Sequence, residues 1–94
     1  AQGNLPEAQR LFGESLRIAQ RLAESDPANA GWQRDLAASH YKLAMFARQS
    51  GDDAGFEAEL RECFGVLDQM HQRGLHFDPP LAKVYQQLAG MFGG

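Results

Sequence analysis

DPANAGWQRDLAASHYKLA, residues 26–44, decides how the chain is read. Asp26-Pro27 stops whatever precedes it, because a proline pushes the residue before it out of helical backbone geometry. From about Ala30 the pattern turns helical, with Trp32, Leu36, His40, Leu43, Ala44 and then Ala47 recurring at steps of three and four. A turn followed by a helix begins here. Yet a helical stretch already runs up to Asp26 from residue 5, so the question is whether this is the middle of a small domain or one unit of an array.

The flanking segments have the same character. The first follows Asn4-Leu5-Pro6-Glu7, in which Asn4 suits an N-cap, Glu7 stands where a capping box needs it, and Pro6 in the first turn loses no helical hydrogen bond. Its apolar or small positions are Ala8, Leu11, Phe12, Ser15, Ala19 and Leu22. Ser50-Gly51 closes the second segment, since glycine tolerates a left-handed cap. Asp52 or Asp53 caps a third, with the stripe Phe56, Leu60, Cys63, Phe64, Leu67 and Met70, ending near Gly74. Asp78 caps a fourth that opens with Pro79-Pro80 and places Leu81, Val84, Tyr85, Leu88 and Phe92 on one face, against Lys83, Gln86, Gln87 and Gly90 on another. No stretch alternates as a strand does. Short loops join the four segments, so neighbours should pack antiparallel and the fold class is all-α.

Composition bounds the function. The 94 residues are 44% apolar and 22% charged, which suits one soluble globular domain. The net charge of −3, with the signs interspersed, gives no basic face for nucleic acid. Cys63 is the single cysteine, so no internal disulfide forms, and a lone thiol is compatible with a reducing, cytoplasmic setting. No apolar run approaches the roughly 18 residues that span a bilayer, so no membrane partner is expected. The chain begins AQGN without a Met and reads as a piece of a longer protein.

The segments echo one another. Gly3-Asn4 recurs 48 residues later as Gly51-Asp52, and at that offset Phe12 matches Leu60, Leu16 matches Phe64, Ile18 matches Val66 and Leu22 matches Met70. Leu36, His40, Leu43 and Ala44 recur 45 residues later as Leu81, Tyr85, Leu88 and Ala89. Two helices therefore make one unit, and the chain holds about two units.

On these residues the chain resembles a tetratricopeptide-repeat (TPR) protein. Leu43-Ala44 matches the Leu-Gly of the A helix, Gly51-Asp52 the turn between A and B helices, Ala8 and Phe12 the small and aromatic B-helix positions, and Asp26-Pro27 the pair that closes a unit. Residues 3–51 are similar to a bacterial variant with lengthened helices, through Glu14-Ser15-Leu16-Arg17-Ile18-Ala19, the run Asn29 to Leu36, and Ser39-His40 with Lys42. The repeat of 48 departs from the usual TPR period of about 34 and fits that variant. The resemblance implies a right-handed α-solenoid occupying 1–94: an orphan B helix at 5–25 whose A partner lies upstream, a helix-turn-helix repeat at 30–73, and a capping helix at 78–92 that ends a longer array.

Chemistry is sparse. His40, His71, His76 and Cys63 lack the paired spacing of a zinc site, and a helix stop at Gly74 separates His71 from His76. His40 aligns with Tyr85 and reads as a packing position, and Cys63 lies on an apolar stripe and reads as core. Glu57, Glu59 and Glu62 read as a solvated helix face, and Ser15 and Ser39 lack a nucleophile context. Neither catalysis nor a cofactor or metal is expected. The resemblance instead implies a concave A-helix surface that takes a peptide or partner helix. The residues expected to carry it are Tyr41, Lys42, Met45, Arg48, Lys83 and Gln86, with Ala38 and Gln87 alongside. Tyr41 and Met45 stand where some family members carry a Lys/Asn carboxylate clamp, so the surface suits an apolar or acidic peptide. The alternative expectation is a structural cap that self-associates through the apolar first helix.

Overall fold

The structure, a computed structural model, describes residues 4–93. Four helices follow in order: α1 (Asn4–Ser25), α2 (Ala30–Gln49), α3 (Asp53–Gln72) and α4 (Pro79–Phe92). Among the described residues there is no strand. The Gly3-Asn4 opening and its cap lie outside the residues whose side chains are described.

The turns obey the chemistry of their residues. Asn29 accepts the Trp32 N–H at 3.0 Å and so caps α2, a device the Asp26-Pro27 stop had overshadowed. Gly51 and Gly74 sit at φ 78° and 72°, where a side chain would be strained. Both end their helices in the same way. Asp52 N–H donates to the Ala47 carbonyl and Gly51 N–H to that of Arg48; Leu75 N–H donates to Met70 and Gly74 N–H to His71. These are Schellman motifs, and they satisfy carbonyls that a helix end leaves orphaned. Asp52 then caps α3 by accepting the Gly55 N–H at 2.9 Å. Asp78 departs from expectation: it makes no side-chain cap bond. Its carboxylate lies 3.9 Å from Arg34 Nη1 instead.

Side chains that meet across each pair show the helices to be antiparallel. Gln33 Nε2 donates to the Ala23 carbonyl at 2.9 Å at one end of α1–α2, while Phe12 packs on Phe46 at the other, 5.0 Å between ring centres. In α3–α4, Asp68 accepts the Tyr85 hydroxyl at 2.7 Å, and Phe64 and Arg61 meet Phe92. Each helix packs on its neighbours in sequence, and among the described residues no other pair of helix backbones comes close.

The core lies along α3. Leu60, Cys63, Leu67 and Met70 are buried between α2, which presents Ala37 and Ala44, and α4, which presents Leu88. Small residues on α2 let the two backbones approach, and large ones on α3 fill the space. Two polar groups enter this core. Gln33 is the one bonded to Ala23. His40 is buried, with Nδ1 2.7 Å from Glu59 Oε1. Glu59 therefore does not lie on a solvated face with Glu57 and Glu62. It is half-buried because a buried imidazole needs a partner. The aligned residues His40 and Tyr85 thus do the same thing from opposite sides: each bonds a carboxylate of α3.

Candidate functional site: a groove between α2 and α4

Because α2 and α4 both pack on α3 without touching each other's backbones, a cleft opens between them. It has a volume of about 280 Å³. Ala37, Ala38 and Tyr41 of α2 form one wall, Pro80, Leu81 and Val84 of α4 the other, and Cys63 of α3 the floor. Polar groups stand at its edge: Arg34, Lys42 and Asp78. Asp78 Oδ2 faces Arg34 at the long distance already noted, while Asp78 Oδ1 is buried without a hydrogen-bond partner. An apolar cleft with two cations and an unspent acceptor can seat an apolar side chain, attract a negative charge, and receive an N–H.

Of the residues singled out in the sequence, Tyr41 and Lys42 line this cleft. The ammonium of Lys42 also lies 5.8 Å from the centre of the Phe12 ring, which fixes its stem across the α1–α2 seam. Met45 is half-buried against the core, and Arg48 lies over Phe56, 5.9 Å from the ring centre, at the far end of α2. Lys83 and Gln86 are exposed on α4 and do not line the cleft. The cleft therefore sits by the N-terminal half of α2. The signal was present: the row Ala38, Tyr41, Met45 continues one turn back to Arg34. The contribution of Leu81 and Val84 was masked because both also belong to the apolar stripe of α4.

Cys63 lies beneath the cleft but does not open to it as a reactive group. Burial pushes its thiol up to about 11, so at neutral pH it is protonated and a poor nucleophile. Native protein should resist alkylation by iodoacetamide at pH 8 and react fully in denaturant, as mass spectrometry would show. Rapid labelling of the native chain would mean that the α2–α3–α4 junction opens readily.

The Tyr85 phenol is held above the ordinary tyrosine range near 10. Its hydrogen bond to the Asp68 carboxylate is the main cause, followed by desolvation and the Asp68 charge. The bond's contribution to stability is fully present below pH 10 and is lost as pH rises through the folded-state value. Tyr41→Phe leaves Tyr85 as the sole tyrosine of the two. Its absorbance titration should then show a midpoint above 10 in folded protein and near 10 in urea. Equal midpoints would remove the Asp68 bond from the account.

Among the described residues no three His, Cys, Asp or Glu side chains converge as metal ligands, and no helix is long and apolar enough to cross a membrane. No family model matches the chain, and no curated protein or solved structure proves similar to it.

Proposed function

We propose that the chain is a protein-interaction module of TPR-like repeats, whose A helices are α2 and α4, and that the cleft between them binds a partner peptide. One observation supports this above the others: an apolar cleft lies where two repeat-equivalent helices flank a third, with cations at its rim. Arg34, Ala38, Tyr41, Lys42, Leu81 and Val84 carry the binding. An apolar side chain of the partner enters over Cys63, an acidic group pairs with Arg34 and Lys42, and a partner N–H donates to Asp78 Oδ1. The sequential antiparallel packing and the paired His40 and Tyr85 bonds support a repeating array as its frame.

Selection of displayed random peptides against the chain tests this reading. Enriched peptides should combine an apolar anchor with Asp or Glu within a few residues. Their binding should weaken with salt, because rim charges act through water. Enrichment of basic peptides, or salt-insensitive binding, would contradict it.

A further inference from the structure

Asp78 has the backbone of a helix cap without the side-chain bond of one. Its φ of −71° and ψ of 159° are the extended geometry of an N-cap residue, and its carbonyl accepts the Ala82 N–H at 3.0 Å. Asn29 and Asp52, which cap α2 and α3, each accept the N–H of the third residue after them, Trp32 and Gly55. The corresponding donor for Asp78 is Leu81 N–H, and that bond is not made. Leu81 N–H has no other partner among the described residues, because the carbonyl four residues back belongs to Phe77, outside the helix. Asp78 Oδ1 is likewise unpartnered, and buried. A donor and an acceptor three residues apart are both unsatisfied, and rotation of one side chain would join them. Arg34, at 3.9 Å, holds the carboxylate away. That contact is too long for a hydrogen bond, and both side chains are about half exposed. It is therefore weak, and keeps Asp78 from the cap by a narrow margin.

We propose that Asp78 regulates the cleft as a two-position carboxylate: it occupies Arg34 in the free chain, and an acidic group of the partner that takes Arg34 sends it to cap α4. This rests on the peptide-binding reading of the cleft. A second carboxylate at Arg34 cancels the pull on Asp78 and repels its charge. The positive N-terminal end of α4 then attracts it instead. One oxygen accepts the Leu81 N–H, and the other stays free for the partner's N–H. Capping and binding reinforce each other, because whatever takes Arg34 favours the cap and whatever favours the cap frees Arg34. Asp78 thus competes with the ligand's acid until the ligand displaces it, and removing its charge tightens binding. A ligand with no acidic group at this point leaves the Arg34–Asp78 contact in place and gains nothing from the cap.

Amide hydrogen exchange and peptide affinity test this. Arg34→Gln, at an exposed position, removes the pull on Asp78 with no ligand present. Exchange of Leu81 N–H should slow roughly tenfold, and Asp78→Ala in the same background should make it fast again. Asp78→Asn keeps a capping oxygen and loses the charge. It should bind the most enriched selected peptide about fivefold more tightly at low salt, and that peptide with its Asp or Glu changed to Asn or Gln no differently. Leu81 exchange unmoved by Arg34→Gln overturns the proposal. So does an Asp78→Asn chain that binds the acidic peptide no more tightly than the unchanged one. Failure of the peptide-binding reading looks different: Leu81 still responds to Arg34→Gln, but Ala38→Glu leaves the peptide's affinity unchanged, and the link between cap and cleft falls with it.

Discussion

Leu67→Ala should lower the free energy of unfolding by about 3–5 kcal/mol, enough to leave much of the chain unfolded at 37 °C. Leu67 is fully buried at the middle of α3, where helices from both sides converge on it. Truncation removes the transfer energy of its methyl groups and leaves a hole that three helices cannot close together. α3 is the helix that holds α2 to α4, so the loss should also flatten the unfolding transition. Chemical denaturation followed by circular dichroism reads both. The same change at Leu11, on the exposed face of α1, should cost well under 1 kcal/mol in the monomer. A comparable cost at the two sites would mean that the core does not lie along α3.

Ala38→Glu should abolish or weaken peptide binding by more than tenfold while changing stability by no more than about 0.5 kcal/mol. Ala38 is exposed on α2 and lines the cleft, so a longer side chain there meets no core atom but occupies the space an apolar anchor needs. A carboxylate one turn from Arg34 also competes with an acidic ligand for that guanidinium. Fluorescence anisotropy with a selected peptide gives the affinity, and thermal unfolding gives the control. Unchanged affinity would place the ligand elsewhere. Lys42→Ala should act more mildly and mainly through the salt dependence, since Lys42 stands at the edge.

The helices were legible because their signals are local. Proline at 27 and at 79–80, glycine at 51 and 74, and apolar steps of three and four act within a few residues. What escaped depends on neighbours distant in sequence. Glu59 looks like any surface glutamate until His40 of another helix is buried against it. Asp78 looks like a cap until Arg34 of another helix draws near its carboxylate. Which end of α2 forms the cleft depends on where α4 begins, and the periodicity of α2 alone does not contain that. Tyr41 and Lys42 were readable because they sit mid-helix, where a small shift in register changes little. Arg48, a turn and a half further on, lies on Phe56 instead.

Amide chemical-shift mapping of a selected peptide on isotope-labelled protein tests the central claim most directly. The largest shifts should fall on Ala38, Tyr41, Cys63, Leu81 and Val84, with the exposed face of α1 unmoved. Shifts confined to α1, or to the α3–α4 surface around His71 and Phe77, would show that the cleft between α2 and α4 is not where this chain meets its partner.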